Sequence, residues 1–395
     1  MAESDGHFEI KSEGDRSQAF LCTEMESFQL VEAEISNKLL IFSNLWLPIK
    51  GAEPLKPSVS PCFLKITTQQ NSKIELNLVR EPKLSKIKAK LSASLLKDHI
   101  EEEIDPRDSS LMKTKEALFE ETPCSLYELD HALRILKVVE FSGYLRMLDI
   151  EYTHKIVSTI FTVCDELDLN LADGFPMNIL IEGVQSLFPS EIVFQVMSLF
   201  FYASISTDEP VILYPNDDAV CQLYGEHILA VLASKFSLDD FMTIWSESVP
   251  TGMKTDLAKH LTGAGRAICK AVYSTGDFDP NAAKSIELLR SEDVLDDDYE
   301  SRLQDLFTRK TFWTELEICS YMDHVIPLKN SSLPIFIPVS YGNQKLDFRD
   351  YSGRTENESE SFKMPAVIGT ILNKFCRFTT HPSLGRIYII KHPHF

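Results

Sequence analysis

Hydrophobic and polar positions alternate differently along the two parts of this chain. Over residues 1–80, short apolar runs at His7–Ile10, Ala19–Cys22, Phe28–Val31, Leu39–Phe42, Cys62–Ile66 and Ile74–Val79 are separated by polar or turn-forming residues. Such spacing predicts a small antiparallel sheet or part of a barrel. Asn44–Ser60, with Pro48, Gly51, Pro54 and Pro57, reads as a loop. In the basic segment 80–91, Leu84, Ile87 and Leu91 fall at i, i+3 and i+7 among lysines, the stripe of a one-sided helix. That helix reads first as a solvated element or linker. A nuclear-import signal and a contact for an acidic partner are the alternatives. Residues 96–109 read as a linker, charged and interrupted by Pro106.

From about residue 110 the period becomes helical. Helices are predicted at 110–121 and 125–136, then a hairpin at 138–147 turning on Ser142-Gly143. Helix, helix, hairpin is the order of a winged-helix unit. Further helices are predicted at 151–167, 177–187, 190–203, 217–235, 237–247, 297–308, 314–324 and 365–376. A short strand falls at Val211–Tyr214, a hairpin-like segment at 266–290 and a last strand at Gly385–Lys391. Residues 329–364, with Pro334, Pro338, Tyr341-Gly342 and an acidic run, read as an inserted surface loop.

One helix-start phrase recurs three times, as Cys124-Ser125-Leu126-Tyr127-Glu128-Leu129, Phe236-Ser237-Leu238-Asp239-Asp240-Phe241 and Trp313-Thr314-Glu315-Leu316-Glu317-Ile318. In each, a hydroxyl is placed to accept from an orphan amide, and the acid three residues on is placed to bond back. Asp240 is a weaker partner than Glu because it is one methylene shorter. Repeated short helices entering at set angles point to a docking scaffold more than to a catalyst. Phe241, Trp245 and Trp313 read as core.

Composition narrows this picture. With 44% hydrophobic and 25% charged residues the chain reads as soluble and globular, and its net charge is −20. Eight dispersed cysteines, none in a Cys-x-x-Cys pair, suit free thiols in a reducing compartment. The first twenty residues are polar and acidic, so no secretory or transit signal is read there. The longest apolar stretch, Ile192–Ile205, is shorter than the ~20 residues of a membrane span. A cytosolic or nuclear protein is expected, with no membrane partner.

No phosphate loop, dinucleotide fingerprint, nucleophile elbow or zinc helix is present. Gly263-Ala264-Gly265 reads as a helix C-terminus, and Asp217-Asp218 and Asp239-Asp240 as helix starts. No catalytic residue, metal ligand or cofactor is assigned. An enzyme without a recognisable motif is the least favoured reading. The one charge asymmetry lies at residues 363–395, which hold Lys363, Lys374, Arg377, Arg386 and Lys391 and no Asp or Glu. These five are candidate DNA phosphate contacts, weak, salt-sensitive and indifferent to sequence. The competing reading is a basic tail paired with the protein's own acidic surface. A winged-helix transcription or chromatin factor with sequence-specific binding is an alternative, but 366–374 offers only Asn373 and Lys374 for base edges.

Several runs resemble the Dcc family, the sister-chromatid-cohesion subunit of an alternative, RFC-like clamp loader. The strongest are Gly143–Asp149, Phe236–Trp245 with Ser248–Met253, and Leu306-Phe307 with Trp313-Thr314. Weaker echoes are Asp5–His7, Phe20–Cys22, Ser36–Leu40, Pro82–Leu84 and Ile368–Leu372. The resemblance implies an α+β architecture. An N-terminal antiparallel β-domain (1–95) forms a partial barrel completed by the loader's large subunit and its small companion subunit. Tandem winged-helix regions follow at 110–216, 217–292 and 293–395. It further implies a nuclear, non-catalytic adaptor that docks polymerase epsilon, contacts DNA and acts on PCNA indirectly. Phe20, Leu21, Cys22, Leu39, Leu40, Ile41 and Phe42 become the expected partner-binding residues. Three departures stand out: a β-region short at its front, Leu145 where the family tends to place Trp, and the insertion at 329–364.

Overall fold

A computed structural model describes residues 8–14, 18–42, 66–98, 112–204, 210–231, 236–271, 279, 282–294, 298–326, 336–351 and 364–391. The first element is a four-stranded antiparallel meander of β1 (Glu9–Ser12), β2 (Ala19–Cys22), β3 (Ser27–Phe42) and β4 (Ile66–Val79). The runs expected at 28–31 and 39–42 belong to one strand, because residues 32–34 continue the pairing with β4 and the ladder resumes at Leu39 after an irregularity. Among the described residues the sheet does not close into a barrel. The expected loop at 44–60 lies outside the described residues.

The next four groups of elements repeat one plan: helix, strand, helix, helix, strand, strand. The first holds α1 (Leu84–Lys90), β5 (Leu95–Leu96), α2 (Lys115–Glu120), α3 (Leu126–Ile135), β6 (Val138–Phe141) and β7 (Tyr144–Leu148). The second holds α4 (Ile150–Glu166), β8 (Phe175–Pro176), α5 (Met177–Val184), α6 (Ser190–Phe200), β9 (Phe201–Ser204) and β10 (Ile212–Pro215). In the third, α7 (Asp217–Val231), β11 (Phe236–Ser237) and α8 (Leu238–Ser248) precede a π-helical turn, Ala258–Thr262, and then β12 (Ala267–Ala271) and β13 (Lys284–Leu288). The fourth begins with α9 (Tyr299–Arg309), β14 (Trp313–Thr314) and α10 (Glu315–Met322). After an inserted pair, β15 (Phe336–Tyr341) and β16 (Gln344–Asp350), it ends with α11 (Ala366–Phe375), β17 (Cys376–His381) and β18 (Gly385–Ile390). In every repeat the last strand lies between the other two, in the orders β5-β7-β6, β8-β10-β9, β11-β13-β12 and β14-β18-β17.

Local chemistry accounts for these starts and turns. Ser125 and Thr314 close full capping boxes with Glu128 and Glu317. Ser237 accepts from the Asp240 amide, but the shorter Asp240 carboxylate takes the Ser237 hydroxyl at 2.7 Å. Ser142 and Gly143 both have positive φ, 54° and 80°, as a two-residue hairpin turn demands. Phe241, Trp245 and Trp313 are fully buried, and the Trp245 indole donates to the Cys221 carbonyl at 2.9 Å.

Three expectations are corrected. The stripe Leu84, Ile87 and Leu91 is buried, packed with Leu118, Cys124 and Leu129, so α1 is a docked helix and neither solvated nor a linker. The apolar stretch read as helix to 203 leaves the helix after Phe200, and Phe201–Ser204 pair with β10. The described part of the insertion is no surface loop. It is a hairpin added to the edge of the second repeat, which makes a five-stranded sheet in the order β15-β16-β9-β10-β8. The strand β17 was not expected at all.

Candidate functional site

The N-terminal meander presents an apolar face that no described residue of this chain covers. Ile74, Leu76 and Leu78 alternate along β4 and are 68%, 52% and 43% exposed. Cross-strand pairing puts Leu78 opposite Phe28, Phe28 opposite Leu21, and Leu21 opposite Ile10, with Leu76 opposite Leu30. Paired residues share a face of the sheet, so these seven side chains form one surface. Fully burying an exposed side chain of this kind is worth about 1.5–3 kcal/mol, and the half-buried Leu21, Phe28 and Leu30 have less to gain. The sheet also has two unpaired edge strands, β1 and β4, among the described residues.

The opposite face is turned toward the first repeat. The Lys11 ammonium donates to the Phe119 carbonyl at 3.2 Å and sits 3.1 Å from the ring centroid. At the joint, the buried Glu128 carboxylate accepts from the hydroxyls of Ser27 and Ser125 and from the Ser125 amide. Burial raises the Glu128 carboxyl, and the Ser27 and Ser125 hydrogen bonds oppose that rise. Close by, burial lifts the Glu81 carboxyl from 4.5 to about 7 against the pull of Lys83 and Lys86.

The expected partner-binding residues divide between these faces. Phe20 and Cys22 are buried inward, whereas Leu21 belongs to the uncovered face. Ile41 is 42% exposed at the far end of β3. Leu39, Leu40 and Phe42 lie in the same strand, paired with Gln70, Gln69 and Ile66. Ile10, Phe28, Leu30, Ile74, Leu76 and Leu78 were missed. The signal in β4 was the alternation Ile74-Glu75-Leu76-Asn77-Leu78, which marks a two-faced strand without saying which face is covered.

At the other end, Lys374, Arg377 and Arg386 are exposed on α11, β17 and β18. The Arg386 guanidinium lies 5.0 Å from the Phe378 centroid. Lys391 is used internally: its ammonium donates to the Asn373 and Lys374 carbonyls and caps α11. Lys363 lies outside the described residues. The outer face of α11 is open, with only Ile368 and Leu372 buried, whereas α6, its counterpart in the second repeat, buries eight residues.

Two further regions hold charged groups. Glu226 on α7, 1% exposed, meets Arg290 at 2.7 Å, Lys137 at 3.6 Å and Arg266 at 3.7 Å. Burial would raise its carboxyl, but these cations hold it well below the usual range. The cluster ties the first repeat to the third. A cavity of about 760 Å³ lies between β12 and the α9–β14 turn, lined in part by Cys269, Lys310, Leu316, Glu317 and Arg386. Burial pushes the Cys269 thiol up to about 11, and Lys310 is held by Glu317 at 2.6 Å, so neither side chain is a ready nucleophile. Among the described residues no three His, Cys, Asp or Glu side chains are grouped to hold a metal ion.

The architecture is thus an α+β chain with separate small sheets, whose uncovered chemistry lies on a sheet face and a cationic end. The chain belongs to the Dcc1 family: the family model described as sister chromatid cohesion protein Dcc1 matches residues 2–322. Proteins named sister chromatid cohesion protein DCC1 are similar over most of its length. The mouse (Mus musculus) protein is 27% identical over 89% of this chain and 84% of its own. The human protein is 27% identical over the same shares, and that of Xenopus laevis is 28% identical over 78% and 75%.

Proposed function

We propose that this protein is a nuclear, non-catalytic adaptor subunit of an alternative RFC-like clamp loader. In that role it promotes PCNA loading at replication forks and sister chromatid cohesion. The uncovered face of β1–β4 carries the reading. A seven-residue apolar surface flanked by two open strand edges is what an unfinished barrel presents to the chains that complete it. The loader's large subunit and its small companion are those chains.

The four repeats are winged-helix units, one more than the three regions that the resemblance implies, with α1 and β5 opening the first. Their element order and central last strand support that assignment. Winged helices dock proteins as well as DNA, and polymerase epsilon is the expected protein partner. The fourth unit is the one for nucleic acid, because its third helix is open and Lys374, Arg377 and Arg386 flank it. Three contacts give weak, sequence-indifferent binding that fades with salt.

The experiment is co-expression of Ile74→Glu/Leu76→Glu with the loader's large subunit and companion. The variant is expected to keep its circular dichroism spectrum and lose co-purification, because both side chains are exposed in the free chain. Undiminished co-purification refutes the proposed face.

A further inference from the structure

The plan shared by the four repeats leaves the second strand of each sheet at an edge. In the first, third and fourth repeats that strand, β6, β12 and β17, pairs on one side only among the described residues. In the second repeat the equivalent strand, β9, is covered. Its cover comes from far along the chain: β16 pairs with it in parallel, Arg349 opposite Tyr202 and Asp350 opposite Ala203. The β15–β16 hairpin belongs by connectivity to the fourth repeat, between α10 and α11. It also lies beyond residue 322, where the family match ends.

The hairpin is built for this seat. Cross-strand pairing places Val339 with Leu346 on one face, with Phe348 and Tyr341 two residues further along their strands. Val339 and Phe348 are fully buried. Phe194 of α6 receives the Phe348 ring at 5.5 Å and the Tyr341 ring at 5.7 Å between centroids. Tyr351 stacks on Tyr214 of β10 at 3.6 Å. The other face carries Ser340, Lys345 and Asp347 to the outside. The Asp347 carbonyl accepts from the Arg134 guanidinium of α3 at 3.1 Å, which adds a grip on the first repeat. Only two residue pairs join β16 to β9, so the backbone link is short while the side-chain seat is specific.

We propose that the β9 edge and the Phe194 socket form a strand-acceptor site, held in this chain by its own 336–350 hairpin as an exchangeable clip. The ligand class is an extended segment with apolar or aromatic residues at alternate positions, added to an open edge. Release of the clip uncovers the acceptor, while the fourth repeat stays packed on the third through Ile268, Leu289 and Tyr321. The inference does not depend on the loader reading, since no loader subunit enters its test.

The test uses the full chain with residues 329–363 replaced by a flexible Gly-Ser linker, and a fluorescein-labelled peptide of residues 334–351 as probe. Saturable one-to-one binding to the replaced chain is expected by anisotropy. Binding to the unaltered chain is expected to be at least tenfold weaker, because the site is taken. A Phe348→Ala peptide is expected to lose at least tenfold. Binding to neither protein, equal binding to both, or an indifferent Phe348→Ala peptide overturns the proposal. Should the replaced chain fail to fold, hydrogen exchange on the unaltered protein decides. Amides of 336–350 with those of Tyr202 and Ala203 are expected to open as one unit, faster than α4. Exchange of both only together with α4 overturns it.

Discussion

Glu81 joins the end of β4 to α1 with 6% of its surface exposed, and replacing it by Gln makes a pH-dependent effect measurable. Its carboxyl rises from 4.5 in the unfolded chain to about 7 in the fold, chiefly because burial penalises the charged form. A carboxyl raised by folding binds its proton more tightly in the native state. Its stabilising contribution is therefore fully present below pH 4.5 and is lost as pH rises through 7. The gap corresponds to about 3 kcal/mol, a factor on the order of 10² in a local opening equilibrium. Glu81→Gln stays neutral at every pH and keeps the side-chain volume. Hydrogen exchange of the α1 amides in both proteins at the same pH removes the intrinsic rate from the comparison. The two are expected to differ little at pH 5, and at pH 8 the variant is expected to exchange on the order of 10²-fold more slowly. A ratio that does not change with pH, or slower exchange in the unaltered protein at pH 8, refutes the argument that burial dominates at this joint.

Other consequences are as direct. Glu226→Ala leaves Lys137, Arg266 and Arg290 facing one another in a buried site, and a loss of about 3–5 kcal/mol is expected in urea unfolding. The depressed Glu226 carboxyl contributes stability above the ordinary carboxylate range that is lost as pH falls through its lowered value, so the penalty of the variant should shrink in acid. For DNA, Arg377→Ala and Arg386→Ala should each lower the slope of log K against log salt by about 0.9 on duplex. Lys391→Ala should leave that slope unchanged, because its ammonium is bound to the Asn373 and Lys374 carbonyls. Gly265→Ala should destabilise by about 1–3 kcal/mol, read as a fall in melting temperature. Gly265 has φ of 64°, and an added Cβ would stand 3.1 Å from the Ser320 carbonyl oxygen.

What the linear pattern could reveal followed from interaction range. The Ser125 and Thr314 boxes, the α1 stripe and the Phe241–Trp245 pair involve residues three or four apart, so their geometry is written locally. The end of α6 was not, because the apolar run through 201–204 continues when helix changes to strand. The hairpin at 336–350 was hidden for another reason. Its prolines and glycine read as loop, and the strand that makes it a sheet member is 147 positions earlier, from Tyr202 to Arg349. The sheet face failed more subtly. Alternation in β2 and β4 separated two faces correctly, but only the tertiary joint at Ser27 and Glu128 decides that Phe20 and Cys22 turn inward. Likewise, five cations in an acid-free tail are visible by counting, whereas the use of Lys391 as a helix cap is not.

The distance between β9 and its neighbour also has a bearing on biosynthesis. Tyr202 leaves the ribosome 147 residues ahead of Arg349, and at about 5–20 residues per second that interval lasts roughly 7–30 s. Until Arg349 emerges, the β9 edge has no β16 to cover it. A translating chain thus passes through a window in which chaperone capture or mispairing with another nascent strand competes with maturation, and codon usage between the two segments sets how long that window stays open.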